Sequence, residues 1–317
     1  MRLTNRQAAE RLGVSLGHVA RACEHRGIQR DAQGYYLFPS GEHEEPKPVE
    51  PLPQAKAYEP AFTSKENPAP SGRPFRLVAF ASDIHIPEHD PFAVRAWLSW
   101  VQHAQPDVIV LGGDILELES CSGHGGNIHS APLFTHEIEC GNKFLDDVQA
   151  AAPGAEIHYL EGNHETRLGR KVDAMIPTMS GALDLPSLLR LDERGISWLP
   201  YGKVKRFGSS KLAFTHGLRA NDHHAKAHLA LYGSSIVYGH THRPQTYVQG
   251  YGDNKVRAGI GAPCLRSLDV SWIKGPTGWA QGFVIAHMFE DGHFTFYPVL
   301  MDRQRFVEGG RLYDGRA

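Results

Sequence analysis

Five short apolar runs in this chain each stop at a residue with a lone pair to offer. Leu77-Val78-Ala79-Phe80-Ala81 precedes Asp83 and His85, and Val108-Ile109-Val110-Leu111 precedes Gly112-Gly113-Asp114. Glu156-Ile157-His158-Tyr159-Leu160 leads into Glu161-Gly162-Asn163-His164-Glu165. Lys211 to Thr215 leads into His216-Gly217, and Ser235 to Tyr238 into Gly239-His240-Thr241-His242. Apolar runs of this length read as strands buried on both faces. Helical patterns over Pro91 to His103 and Thr135 to Ala151 fall between them. The alternation predicts an α/β fold, whose functional groups gather just beyond the carboxyl ends of its strands. Within an extended strand alternate side chains share a face, so Asp83 and His85 are expected to grip one ion from a strand end.

The set Asp83, His85, Asp114, Asn163, His216, His240 and His242 mixes carboxylate, amide and imidazole without thiolate. Such donors suit Mn²⁺, Fe or Zn²⁺ better than Ca²⁺. The four cysteines are scattered and form no Cys-x-x-Cys pair, which argues against a disulfide framework or a thiolate zinc site and fits a reducing, cytoplasmic setting. Net charge of −2 gives no whole-protein attraction to nucleic acid or anionic lipid, so a basic footprint must be local. There is no basic-then-apolar leader, and no apolar stretch approaches the roughly 18–20 residues of a membrane span, so no membrane partner is expected.

These blocks closely resemble the signature of the calcineurin-like metallophosphoesterases: Asp-x-His, Gly-Asp, Gly-Asn-His-(Asp/Glu), His and Gly-His-x-His. Here they read Asp83-Ile84-His85, Gly113-Asp114, Gly162-Asn163-His164-Glu165, His216 and Gly239-His240-Thr241-His242, over roughly residues 76 to 300. The resemblance implies a four-layer α/β/β/α sandwich and hydrolysis of phosphoesters with two divalent ions, Mn²⁺ first, with Fe, Zn²⁺ or Ni²⁺ as alternatives. It implies one ion on Asp83, His85 and His242, the other on Asn163, His216 and His240, and Asp114 between them. Two ions about 3.5–4 Å apart clamp the attacking and leaving oxygens of an in-line displacement. His164 is implied as the proton donor or electrostatic stabiliser at the leaving oxygen, and Glu165 either orients His164 or caps a helix.

Relative to two branches of the family the chain departs. Ile115-Leu116-Glu117-Leu118 replaces the Val-Asp-Arg-Gly of serine/threonine protein phosphatases, and the tyrosine ligand of purple acid phosphatases is missing. Arg167 with Arg170 or Lys171 would share a helix face and could bind flanking phosphates, or simply face solvent. The glycine-rich stretch within Leu116 to Phe134 could hold substrate or merely connect. His223, His224 and His228 read as surface residues or as support for the ligands, not as a third metal site.

Residues 1–39 read as a separate helix-turn-helix-like module, in which the short strand expected at Gly34 to Phe38 would be the wing of a winged variant. Asn5 is expected to cap a helix from Arg6 to Leu12, Gly13-Val14-Ser15 to turn, and a second helix to run from Leu16 to His25. Six arginines against three acids make it locally basic, and Ser15, His18, Arg21 and His25 would form the DNA-facing side, with His18 and Arg21 as contacts. A helical hairpin that docks on a protein is the alternative. Residues 40–74, with eight prolines, read as an extended tether, and 75–317 as the catalytic domain. A reader, a tether and a hydrolase together suggest a phosphodiesterase or nuclease, in a bacterial or phage-infected cell. A phosphomonoesterase and a DNA-binding scaffold with a vestigial site are the competing readings.

Overall fold

The computed structural model describes residues 1–38, 73–122, 134–179, 181, 183–251, 255–270 and 275–317. The chain divides into two compact units, Met1–Glu66 and Asn67–Ala317. The expected tether lies outside the described residues but for its last two, and so does most of the glycine-rich stretch after Ser122.

In the first unit β1 (Arg2–Leu3) pairs antiparallel with β2 (Tyr36–Leu37), around α1 (Asn5–Leu12) and α2 (Val19–His25). Thr4, not Asn5, caps α1. Its hydroxyl accepts from Gln7 N while Gln7 Oε1 accepts from Thr4 N, a reciprocal pair that Asn5, one residue further in, has no geometry to make. Gly13 ends the helix at a φ of 63°, where a side chain would be strained. The second helical stretch opens as one 3₁₀ turn, Leu16–His18, before α2. Ala8, Ala9, Val19, Cys23, Tyr36 and Phe38 make its core.

The second unit begins β3 (Phe75–Ala81), α3 (Pro91–Ala104), β4 (Val108–Leu111), α4 (Phe134–Ala151), β5 (Glu156–Leu160), α5 (Thr166–Met175), α6 (Leu185–Leu188) and β6 (Ser197–Leu199). It continues with β7 (Lys205–Arg206), β8 (Leu212–Thr215), α7 (His224–Tyr232), β9 (Ser235–Tyr238), β10 (Gln245–Tyr251) and β11 (Lys255–Gly261). Then come β12 (Gly282–Phe289), β13 (Phe294–Leu300), β14 (Arg305–Glu308) and β15 (Arg311–Asp314). One sheet runs β13-β12-β3-β4-β5-β6 and the other β10-β11-β9-β8-β7. β3 through β6 are mutually parallel, as are β8, β9 and β11.

Alternating side chains sort the core into layers. Leu77, Ala79 and Ala81 of β3 face Trp97, Trp100 and Phe144 of α3 and α4. Val78 and Phe80 face the second sheet, meeting Phe214, Val237 and Ile260. Ala213, Ile236 and Tyr238 on that sheet's far side pack with Ala225 of α7. The order is helix, sheet, sheet, helix, the four-layer sandwich. Asp90 fixes the start of α3 by accepting from Phe92 N and Ala93 N, with Pro91 at the first helical position.

Candidate metal centre

Each ligand candidate sits within four residues of a strand's carboxyl end, and the backbone ladder outlasts the strands. Gly112 N donates to Ala81 O, Asp83 N to Gly113 O and His85 N to Asp114 O, so the tails of β3 and β4 stay in register. Gly239 N donates to His216 O, tying the tails of β8 and β9. His240 N donates to both carboxylate oxygens of Asp83 at 2.9 Å and stitches the two sheets together at the rim.

Asp83 and His85 converge, but not by strand alternation. β3 has ended, and both residues take left-handed backbone, at φ of 55° and 58°; Asp114, His240 and His242 do the same. Asp and His tolerate this region better than most residues, and its clustering at one site is the kind of local strain that functional sites hold.

The side chains form two cradles. In one, His85 Nε2 lies 3.1 Å from His242 Nε2, and His242 Nε2 lies 3.2 Å from Asp83 Oδ1. In the other, Asn163 Oδ1 is 3.0 Å from His216 Nε2 and 2.7 Å from His240 Nδ1, with Asp114 Oδ2 3.4 Å from His216 Nε2. The donor atoms of Asp83, His85 and His242, and those of Asp114, His216 and His240, lie within 4.8 Å of one another. Lone pairs converging from buried groups at such distances need a proton or a cation between them, and imidazole with carboxylate and amide is a donor set for Mn²⁺, Fe or Zn²⁺. The residues fit a pair of divalent ions.

Burial would push the charged form out of every one of these groups, yet neighbours reverse it in places. His216 and Asp114 hold each other ionised: against burial, Asp114 drives His216 up to about 10, and His216 drives Asp114 well below the carboxylate range. Burial alone would raise Asp83, but His242 holds it at about 2. For His85 burial prevails and brings the imidazole down to about 4.

The cleft over the cradles, of about 580 Å³, is lined by His164, Arg167, Arg266 and Trp279 as well as by five of the ligand candidates, His85, Asp114, Asn163, His240 and His242. His164 is placed by its own N–H to Asp114 Oδ1, 2.8 Å, and by Nδ1 donating to Glu117 O, 2.8 Å. Arg167 Nη2 donates to His164 Nε2 at 3.1 Å. Arg170, one turn on, is exposed and does not line the cleft. Lys171 instead donates to Ser120 O, holding the segment after Asp114.

Two acids matter more than their sequence context suggested. Glu165 neither caps α5 with its side chain nor orients the His164 ring. Buried, it accepts from the N–H groups of Asp114, Ile115, Leu116 and Gly162 and from Tyr159 Oη, pinning the Asp114 turn to the Gly162 turn. Glu117, missed in the sequence, lies 2.7 Å from His85 Nδ1. Its only signal there was an acid inside the apolar stretch Ile115-Leu116-Glu117-Leu118. Burial would raise its carboxyl, but His85, His164 and Arg266 bring it down to about 2. His224 and His228 are buried, not superficial: His228 Nε2 accepts from Leu218 N and Arg219 N, bracing the loop that follows His216.

A calcineurin-like phosphoesterase family model matches residues 76–258, more than half of the chain and every strand end described above. The chain belongs to the calcineurin-like phosphoesterase family. It is therefore a phosphoester hydrolase, of a family that typically binds two divalent metals. The phosphoesterase is similar to the Gene 54 protein of Mycobacterium phage L5, 28% identical over 257 residues that cover 75% of this chain and 99% of that one. It is also 28% identical to the Gene 54 protein of Mycobacterium phage D29, over 66% of this chain and 87% of that one. Among solved structures, Vacuolar Protein Sorting 29 from Cryptosporidium parvum matches with 12% identity and a TM-score of 0.38, covering 76% of this chain and 95% of its own. A dimetal phosphatase from Danio rerio matches with 12% identity and a TM-score of 0.35, over 68% and 93%. No helix among the phosphoesterase's described residues is long and apolar enough to cross a membrane.

Proposed function

We propose that this phosphoesterase is a phosphodiesterase acting on nucleic acid, a nuclease working in the cytoplasm of a bacterial or phage-infected cell. The observation that carries it is the pair of cradles under a cleft that also offers two guanidinium groups and an indole, Arg167, Arg266 and Trp279. Guanidinium groups suit phosphate oxygens, and an aromatic face suits a base beside the scissile phosphate.

In this reading Asp83, His85 and His242 hold one ion and Asn163, His216 and His240 the other, with Asp114 shared, and Mn²⁺ as the native metal. Such an ion pair supplies an activated water and neutralises charge building on the phosphoryl oxygens. The chain's own residues do the rest. The Glu117 carbonyl holds a proton of His164 on Nδ1 and so fixes the ring in the cleft. Arg167 occupies Nε2 in the free site. A phosphoryl oxygen that draws Arg167 away frees Nε2 to take up a proton from solvent, and the ring, still held at Nδ1, can then pass that proton from Nε2 to the departing oxygen. Arg170 would meet the chain of phosphates outside the cleft.

The first unit would bring the enzyme to DNA as a helix-turn-helix-like module. Ser15, His18, Arg21 and His25 are all exposed along one helical stretch, as a groove-facing side requires. The tether would then raise the local concentration of DNA at the cleft.

The test is metal-loaded full-length protein with single- and double-stranded DNA beside p-nitrophenyl phosphate. Cleavage of DNA, with retention on duplex that falls steeply as salt rises, is the expected result. Hydrolysis of the small ester with DNA left whole would remove the nuclease reading. Retention that ignores salt would remove the DNA-binding role of the first unit.

A further inference from the structure

The two cradles are backed differently. Behind the second, His216 Nδ1 donates to a neutral group, the Gly112 carbonyl, at 2.9 Å. Behind the first stands a carboxylate: Glu117 Oε2 lies 2.7 Å from His85 Nδ1, a buried contact of charge against ring in which neither atom makes an aligned hydrogen bond. A negative charge on that side of the ring favours the proton of His85 on Nδ1 and the lone pair on Nε2, which lies on the ring's other side 3.1 Å from His242 Nε2. Glu117 is itself held. Arg266 Nη1 is 3.7 Å from its Oε2, and Arg167 Nη1 is 3.6 Å from its Oε1. The Glu117 side chain is 12% exposed and that of His85 1%, so solvent screens the pair little.

We propose that Glu117 is a positioning residue that makes the two cradles unequal, its carboxylate fixing and polarising His85 so that the Asp83–His85–His242 cradle holds its cation more tightly than the other. A carboxylate behind a ligating imidazole fixes the tautomer and raises the ligand's basicity, which a neutral carbonyl does less strongly. The inference rests on the reading of these residues as a two-cation site, and it adds which ion leaves last and why.

Full-length protein loaded with Mn²⁺ is titrated with a competing chelator, and free Mn²⁺ is followed by electron paramagnetic resonance for wild type, Glu117→Gln and Glu117→Ala. Wild type is expected to release its ions in two phases. Glu117→Ala should weaken the tight phase about 10- to 100-fold and leave the midpoint of the weak phase in place. Glu117→Gln, which keeps the shape and a dipole beside Nδ1 but loses the charge, should fall between. Single-phase release from wild type, an unchanged tight phase in Glu117→Ala, or both phases moving together would each overturn the proposal. Wild type that still hydrolyses phosphoesters in any of those cases leaves the hydrolase reading standing. A Glu117-dependent tight phase in a protein that cuts no nucleic acid removes the nuclease reading and not this one.

Discussion

The catalytic unit and the first unit set their proposed working residues in opposite environments. Asp83, His85, Asp114 and His216 are each no more than 2% exposed, and a charge so buried must be matched by partners or it unfolds the site. Here it is matched: His240 N on Asp83, His216 on Asp114, and five donors on Glu165. On the first unit His18 and Arg21 stand in solvent, where a side chain needs only the right charge. A buried site dictates residue identity at each position, and an exposed face dictates little. The two units should therefore respond to substitution on different scales.

The largest expected effect is at the cleft. His164→Ala should lower the rate of phosphoester hydrolysis about 10²- to 10⁴-fold at unchanged metal content, while retention on DNA stays as in wild type. Steady-state kinetics beside filter retention checks both. If the two fall together, the units are not separate in function and the contrast fails.

Next is the pH dependence of metal uptake. His216 titrates near 10, so below that pH the metal must displace its proton. His85, brought down to about 4, is already neutral at pH 7 and contributes nothing there. Metal affinity should rise about tenfold per pH unit from pH 7 to 9, some 1.4 kcal/mol per unit, and flatten above 10. Calorimetry in buffers of different ionisation enthalpy should count one proton released. A flat profile would mean that the buried site is not charged in the way Asp114 and His216 imply.

How far the sequence revealed each unit follows the same line. The strand ends are legible because every ligand candidate follows an apolar run; α3 and α4 show as helical patterns between those runs, and the layering of the two sheets is implied by the family resemblance. The short strands β1, β6, β7, β14 and β15 left no readable pattern, since two to four residues carry too little periodicity to register. Asp83 and His85 were paired for the wrong local reason: alternation applies inside an extended strand, and their backbone is left-handed. Glu117 and Glu165 were underread because their partners, the His85 imidazole and the N–H groups of the Asp114 turn, are distant in sequence. Asn5 was mistaken for the cap of α1 because Thr4 is equally good by type, and only Gln7 answering three residues later decides between them.

A smaller effect separates the two units by the reason each keeps a glycine. Gly239 has an ordinary backbone, but a Cβ there would press into Ser82 Oγ and Asp83 Oδ2, which are fully buried and hydrogen-bonded to each other. Gly239→Ala should cost about 1–3 kcal/mol of stability in the catalytic unit, as overpacking does, and disturb metal binding through Asp83. Urea unfolding with and without Mn²⁺ measures it. If the metal restores full stability, Asp83 has room to move and the rim is less rigid than its hydrogen bonds imply.

The smallest change lies in the first unit and tests whether it has any margin. Among the described residues its core is six buried side chains, and so small a core has little stability to lose. Thr4 satisfies Gln7 N at the start of α1, and Gln7 answers at Thr4 N, so Thr4→Ala undoes both at once. The expected cost is about 1 kcal/mol, typical of a lost N-cap. In the catalytic unit a loss of that size would go unnoticed. In the first unit it should speed amide exchange across α1 about fivefold and weaken DNA retention in proportion, with hydrolysis of p-nitrophenyl phosphate unchanged. Thr4→Ser, which keeps the hydroxyl, should behave as wild type. Exchange that does not respond to Thr4→Ala would mean that the hairpin of β1 and β2, rather than the capped helix, sets the stability of this unit, and the recognition face would then rest on the strands.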